Sequence, residues 1–352
     1  MDTLQLTGTF LFAFFISMAS IPVIIHWAHS RGLLDKPSHR KVHTEQVSNL
    51  GGVAIFTAWM VTLGCFLWPS APTLLKGVAL AFPLFALALL DDLTEVGVTT
   101  RLVFQALTGV LAFDMGFQVV ILENEWMLNL VATVLLFMVL VNAFNLIDGI
   151  NGLAGSLGLI GGLAFACFFI SMGWVAPALV ALAYSGALSG FLYYNFRRRA
   201  RIFMGDNGSV VMGYFMAFMI IQVLEHPVAI HQASLTVVQF GVSTIMLPVV
   251  DMGRVFICRM LRGQSPFYGD RTHIHHYFVD NGFSHPVASS LLACAHVSIV
   301  LAGALLSFGW WLMVCAASIG GIYLLAMVVN ASQRPVAVPN PGSSFEEFQV
   351  PV

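Results

Sequence analysis

Charge is what this sequence lacks: Asp, Glu, Lys and Arg together make up 9% of its 352 residues, against about 25% in an ordinary soluble domain. With 58% hydrophobic residues, that scarcity excludes a globular protein bathed in water and places the chain in a membrane. Period-two alternation of apolar and polar residues is also missing, which excludes a lipid-facing barrel and leaves helices as the spanning structure. The five cysteines (Cys65, Cys167, Cys258, Cys294 and Cys315) have neither C-x-x-C nor other ligand spacing, so they read as packing residues rather than a disulfide framework or a zinc centre. The opening "MDTLQLTGTF" has no basic residues and no small-residue cleavage site follows its apolar stretch, so a retained first span is expected rather than a cleaved signal. Nor is there a convincing internal repeat.

What is present is a series of apolar runs long enough to cross a bilayer, about 20 residues each. Runs between polar breaks predict an all-α, polytopic membrane protein with eleven transmembrane helices, near 4–28, 51–69, 74–91, 102–122, 127–145, 152–172, 174–194, 208–225, 234–250, 286–307 and 309–330. An N-terminus facing outward then puts every Lys and Arg except Lys76 on the cytoplasmic side, out of 15 in all, as the positive-inside rule requires. The C-terminus is therefore expected to be cytoplasmic. Residues 1–332 read as a single integral-membrane domain and the tail 333–352, "QRPVAVPNPGSSFEEFQVPV", as disordered. The run "RRRAR" (197–201) is explained by the same rule, and no nucleic-acid partner is expected.

The polar clusters are one-sided. "DKPSHRKVH" and "SNLGG" (35–52), "LLDDLTEVGVTTR" (89–101), "NAFNLIDGIN" (142–151), "NFRRRARIFMGDNGS" (195–209) and "DMGRVFICRMLRGQSPFYGDRTHIHH" (251–276) all fall at the predicted cytoplasmic surface. An enzyme working at one face would arrange them so. An ion-coupled transporter, using Asp91, Asp148 and Asp114 as a relay, would instead place polar groups near the midplane on broken helices.

Each cluster has a plain reading beside a chemical one. The adjacent acids Asp91 and Asp92 could cap a helix at the interface. With Asp148 and Asp206 at equivalent depth on other loops, they look instead like a site for Mg2+, which takes oxygen ligands and leaves room for substrate phosphates. In "FMGDNGS" (203–209) the glycines allow close backbone approach, and a helix N-terminus offers N–H groups to an anion; an ordinary capped turn would look the same. Asn142, Asn145 and Asp148 recur every third residue and so share one helix face, either to bond neighbouring helices or to line a polar pocket. His273, His275 and His276 beside Arg271 could hold zinc, but without partner cysteines anion contacts fit them better; a solvated loop is the third reading. Asp114 is expected inside the fourth span, toward the outer side.

In this order and over nearly the whole chain, "DKPSHRKVH…LGGVAIF", "LLDDLTEVGVTTR", "NAFNLIDGINGLAG", "FMGDNGS" and "SPFYGDRTHIHH" resemble the polyprenyl-phosphate N-acetylhexosamine-1-phosphate transferases. "HIHH" is similar to the branch that uses UDP-GlcNAc or a related UDP-HexNAc. The resemblance implies transfer of a sugar 1-phosphate from a UDP-HexNAc to undecaprenyl phosphate at the cytoplasmic face of the bacterial inner membrane, with UMP released. The product would open synthesis of a cell-surface polysaccharide such as O-antigen. It further implies Mg2+, with Mn2+ as a substitute, held by Asn145 and Asp206. Asp91 would orient or deprotonate the lipid phosphate, with Asp92 beside it. Arg101 would contact phosphate, Asn151 and Phe203 would bind and stack uracil, and Arg271, His273, His275 and His276 would hold the pyrophosphate and sugar. Asp148 would serve the metal's outer shell, the phosphate or a structural bond, while Asn142 is structural. Substrates and bilayer are thus the expected partners; a homodimer is compatible with the sequence, which does not set the oligomeric state. Two departures stand out. "TEQVSNLGG" (44–52) replaces a Pro-x-Pro-Arg stretch frequent in relatives, and Asn151 stands where many have Asp.

Overall fold

A computed structural model of the chain describes residues 3–34, 47–68, 70–94, 96–225, 235–267 and 270–332. The basic segment 35–43, residues 44–46, the stretch 226–234 that holds most of the predicted outward loop, and the tail 333–352 lie outside the described residues. Among the described residues fourteen helices follow one another: α1 (Thr3–Arg31), α2 (Gly51–Phe66), α3 (Pro72–Ala79), α4 (Ala81–Thr94), α5 (Val98–Asp114), α6 (Trp126–Ile147), α7 (Leu153–Ser171), α8 (Val175–Asn195), α9 (Asp206–Leu224), α10 (Leu235–Ser243), α11 (Met246–Leu261), α12 (Ile274–Asp280), α13 (His285–Leu305) and α14 (Phe308–Ser332). No extended strand occurs among the described residues.

The protein is a polytopic membrane protein. Eight helical stretches are long and apolar enough to cross a bilayer, with α3 and α4 counted as one, and the bent pair α10–α11 makes a ninth. All eleven predicted runs contain helix, but two fall short of a full span among the described residues: α2 has only 16 residues and α5 only 17. Helix α9 is the axis of the bundle. It is apolar all round below its first turn, which suits a helix enclosed by others, and every residue from Asn207 to Val223 is buried. Helices α2, α4 and α6 pack against it.

Small residues set the closest approaches. Gly186 and Gly190 of α8 lie against the α1 backbone at Phe10 and Phe14, the small-xxx-small spacing that lets membrane helices meet without side chains between them. Gly213 of α9 seats on Leu140 and Val141 of α6 in the same way.

Three predicted boundaries are corrected. The run 102–122 is helical only to Asp114. Gly116, at φ 90°, turns the chain, and Phe117 N–H donates to the Ala112 carbonyl at 2.9 Å, a helix stop closed by a left-handed residue. The following residues are non-helical, and their backbone is satisfied from the bundle: Thr133 Oγ1 accepts from Val119 N–H at 2.9 Å, Asn129 Oδ1 from Ile121 N–H at 2.8 Å and Glu225 from Gln118 N–H at 3.2 Å. Side-chain acceptors thus stand in for the helical partners that these N–H groups lack, while Val120, Ile121 and Leu122 themselves are exposed. Asp114 is consequently an exposed residue at a helix end rather than one inside a span.

The run 234–250 is two helices bent by 70°. Pro248 cannot donate to the Thr244 carbonyl, which breaks the ladder there, and the hydroxyls of Ser243 and Thr244 bond back to Gln239 O and Gly241 O at 2.7 and 2.8 Å. Helix α11 then continues to Leu261, so "DMGRVFICRM" is helical rather than loop. "HIHH", expected on a loop, likewise opens the short helix α12.

Candidate active site

The C-terminal ends of α4 and α6 and the N-terminal ends of α2, α5 and α9 meet at one end of the bundle. There the apolar runs stop and their terminal polar residues face one another. Asp91 and Asp92 end the apolar face of α4, Arg101 sits in the first turn of α5, Asn145 in the last turn of α6, and Asp206 opens α9.

Arg101 joins two of the acids. Its Nη1 lies 2.9 Å from Asp91 Oδ2 and 3.2 Å from Asp206 Oδ2. The other Asp91 oxygen accepts the Val96 N–H at 2.5 Å. Asn145 Nδ2 donates to Asp206 Oδ1 at 2.9 Å and to Ser209 Oγ at 3.0 Å; because a carboxylate can only accept, the Asn145 amide oxygen is turned to the other side.

Asp92 does something different from Asp91. Its Oδ1 accepts the Asp206 N–H at 3.1 Å and Asn49 Nδ2 at 3.0 Å, while Oδ2 accepts the Asn207 N–H at 2.9 Å and Asn207 Nδ2 at 2.5 Å. It caps α9 from a neighbouring helix. The N–H groups of Asp206 and Asn207, expected to be open to an anion, are already taken by this carboxylate. Gly205, at φ 75°, makes the arrangement possible, since a side chain there would run into Asn49 O and Asp92 Oδ2.

Asp148 follows α6 and completes the acidic group. Loss of hydration, followed by the charges of Asp206 and Asp92, pushes its carboxyl up to about 8. Three acids that raise one another's cost of ionisation form an oxygen-rich site that a cation could occupy. The donor set, carboxylates and an amide oxygen, suits a hard divalent ion. Among the described residues no three acidic, His or Cys side chains already converge on one point.

The three histidines form a wall beside this cluster. The rings of His273 and His275 are stacked at 5.8 Å, and those of His275 and His276 lie 4.3 Å apart. His275 Nε2 is directed at Gly149, next to Asp148, leaving no room for a Cβ. Burial, and then His276, hold the His275 ring well below the ordinary histidine range; burial and then Arg271 bring His276 down to about 4. Both are neutral at pH 7, so they offer hydrogen bonds and no charge. His273 Nε2, both nitrogens of His275 and His276 Nδ1 are buried without a partner.

The remaining predicted residues are more peripheral. Asn151 is buried, donates Nδ2 to Arg197 O at 2.9 Å, and has its own carbonyl held by Ser289 Oγ at 2.8 Å. Phe203 pairs by backbone with Ser48 and Gly51 at 2.8 and 2.9 Å, which ties "SNLGG" to "FMGDNGS". Arg271 is exposed and paired with Asp280 at the far end of α12, outside the Asp91–Asp206 hydrogen-bond network. Asn142 bridges α6 to Gln105 of α5 at 2.6 Å, a structural bond as expected.

Sequence reasoning did not single out Asn49, Asn207, Ser209 or Asp251. All four sit inside stretches that it did quote; the role of Asp251 carried no local signal, since His273, Ile274 and Tyr323, which bond to it, lie far along the chain. Asp114, placed in a relay by the transporter reading, stands at the opposite end of α5 from Arg101, about 20 Å away at 1.5 Å per residue.

Comparison with known proteins bears on the same residues. The profile of glycosyl transferase family 4 matches residues 74–224, which spans Asp91 to Asp206. The chain is 31% identical over 288 residues to a protein of Bacillus subtilis (strain 168) named "probable undecaprenyl-phosphate N-acetylglucosaminyl 1-phosphate transferase", covering 78% of each chain. It is 28% identical over 322 residues to the undecaprenyl-phosphate alpha-N-acetylglucosaminyl 1-phosphate transferase of Yersinia pestis, covering 86% of this chain and 85% of the relative. Identity is also 28% over 308 residues to the decaprenyl-phosphate N-acetylglucosaminephosphotransferase of Mycolicibacterium smegmatis, covering 78% and 75%.

Proposed function

Because the chain belongs to glycosyl transferase family 4, we propose that it transfers an N-acetylhexosamine 1-phosphate, in the first instance GlcNAc 1-phosphate, from the UDP-sugar to undecaprenyl phosphate. An oxygen of the lipid phosphate attacks the sugar-bearing phosphorus of the donor. The bond to the bridging oxygen of UMP breaks, and undecaprenyl-pyrophosphate sugar and UMP leave. No water or redox partner enters the balance.

The observation that carries this reading is the Asp91–Arg101–Asp206–Asn145 cluster at the ends of apolar helices. A lipid phosphate held in the bilayer and a soluble nucleotide can meet only at such a boundary. Phosphoryl transfer asks the protein mostly for positioning and for neutralisation of charge. Asp206 and the Asn145 amide oxygen would hold Mg2+, or Mn2+ in its place, which supplies that neutralisation on the donor diphosphate. Arg101, held by Asp91, directs a fixed positive charge to the same place. A phosphate monoester is already largely dianionic at pH 7, with a second pKa of about 6, so Asp91 acts by holding Arg101 and orienting the acceptor more than by removing a proton. The neutral histidine wall and Asn151 contribute hydrogen bonds to the donor, and Phe203 a stacking face for uracil.

In this reading the chain crosses the bacterial inner membrane eleven times, with the N-terminus outside, the C-terminus in the cytoplasm and the site on the cytoplasmic face. α2 and α5, with 16 and 17 residues, cross as short helices in a locally thinned bilayer. The product begins assembly of a surface polysaccharide. Purified protein in detergent, given UDP-GlcNAc, undecaprenyl phosphate and Mg2+, should release UMP and form a lipid product of the mass of the pyrophosphate-linked sugar; excess EDTA should stop both. A panel of UDP-HexNAc donors ranks the sugar. Folded protein that makes no lipid-linked product with any of them would end the proposal.

A further inference from the structure

Asp251 lies on α11, outside the acidic cluster, and is 1% exposed. A buried carboxylate is costly unless hydrogen bonds replace its water. Four donors do so here. Oδ1 accepts the Ile274 N–H at 3.0 Å, the Tyr323 hydroxyl at 2.9 Å and Arg254 Nη2 at 3.0 Å, while Oδ2 meets His273 Nδ1 at 2.8 Å. Ile274 opens α12, and the residue before it, His273, makes no side-chain cap; Asp251 supplies that cap from α11. Arg254 also donates to the Thr272 carbonyl and, through Nε, to the Tyr323 oxygen at 3.0 Å. The segment that carries the histidines is thus pinned to α11 and to the last helix, α14.

The same bonds select a tautomer. An ionised carboxylate accepts and cannot donate, so a neutral His273 must carry its hydrogen on Nδ1 and its lone pair on Nε2. That Nε2 is buried and without a partner. A buried acceptor left unmade costs free energy until a donor arrives, and the stacked neighbour His275 abuts the loop of Asp148. We propose that Asp251 is a positioning residue, which holds His273 with Nδ1–H turned inward and Nε2 presented as an acceptor to a hydroxyl or amide N–H of the donor sugar. The substrate part of this inference rests on the transferase reading; the tautomer does not.

The isosteric change Asp251→Asn is informative because Oδ1 is anchored by three donors. Asparagine must keep its oxygen there and turn its NH2 toward His273 Nδ1, which then becomes the acceptor and moves the hydrogen to Nε2. In 15N NMR of protein labelled at histidine, with the His273 signal assigned by its loss in His273→Asn, the unmodified chain should show Nδ1–H and the Asp251→Asn chain Nε2–H. The variant should lose about 10- to 100-fold in kcat/KM, the effect of removing the partner that orients a working histidine, with a raised KM for the UDP-sugar and an unshifted elution on size exclusion. Tyr323→Phe leaves two donors on Oδ1 and should keep the Nδ1–H form. Nε2–H in the unmodified chain overturns the proposal even if Asp251→Asn fails to fold, and so does a variant that changes tautomer with no change in KM. An unmodified protein inactive with every donor, yet carrying Nδ1–H, would count against the transferase reading alone.

Discussion

Asp92 accepts the backbone N–H of Asn207 at 2.9 Å, so the last turn of α4 caps the first turn of α9. Its neighbour Asp91 turns to Arg101 instead, at 2.9 Å. Two adjacent carboxylates therefore separate into a cap and a charge partner. Asp92→Ala strips four donors of their acceptor and should cost about 1–2 kcal/mol, the range of a lost N-cap. Asp91→Ala should cost less, because Arg101 keeps Asp206. Thermal unfolding in detergent tests the order, and equal losses would contradict the division of roles.

Activity should rank the two differently. Asp91→Asn and Asp206→Asn leave shape intact but weaken the hold on Arg101 and on a divalent cation. A fall in kcat on the order of 10²-fold is expected for each, as for loss of one preorganised charge-stabilising group. UMP release at saturating donor measures it. Folded variants working at near-normal rates would remove these residues from the site.

The elements that could be read from the sequence were those whose signal is local. Apolar runs gave helix at every predicted position, and the clustering of Asp91, Asp148 and Asp206 followed from placing all three at one end of their helices. The errors have physical causes. The run 102–122 keeps its apolar character past Asp114 because Val120, Ile121 and Leu122 lie exposed on the outside of the bundle, where a membrane protein carries apolar side chains whatever the backbone does. The bend before Met246 needs Pro248 together with a pocket for the turned helix. The role of Asp251 could not be read from its stretch, because its partners His273, Ile274 and Tyr323 lie 22, 23 and 72 residues away.

Glycines on a single helix provide a steric test. A Cβ on Gly52 would meet Asn207 and the backbone of Gly208, whereas one on Gly64 meets nothing within 4 Å. Both belong to α2. Gly64→Ala should be neutral or stabilising by up to about 1 kcal/mol through helix propensity. Gly52→Ala should disrupt the first turn of α9 and abolish activity. Gly149→Ala, which pushes on His275, should lower activity while changing stability less than Gly52→Ala. Comparable melting temperatures for Gly52→Ala and Gly64→Ala would contradict the packing described.

Stability should also depend on pH in a way set by Asp148. Its carboxyl is pushed up to about 8 and that of Glu225, half-buried at the opposite end of the bundle, to about 7. Between the ordinary carboxylate range near 4 and these values, the folded chain holds more protons than the unfolded one, so stability falls as pH rises. His276, brought down to about 4, and His275 act oppositely. Between there and the ordinary value of about 6.5, the unfolded chain takes up more protons, and stability rises with pH. Above pH 6.5 the histidine contribution is complete and the fall is unopposed. The melting temperature in EDTA should therefore decline from pH 6.5 to 9, and Asp148→Asn should flatten that decline. Mg2+ should restore most of it at pH 8 to 9, since a cation beside Asp148 and Asp206 favours their ionised forms. A melting temperature that climbs through this window in EDTA, or Mg2+ stabilising equally at pH 6 and pH 9, would show that the acidic cluster is not coupled as its geometry requires.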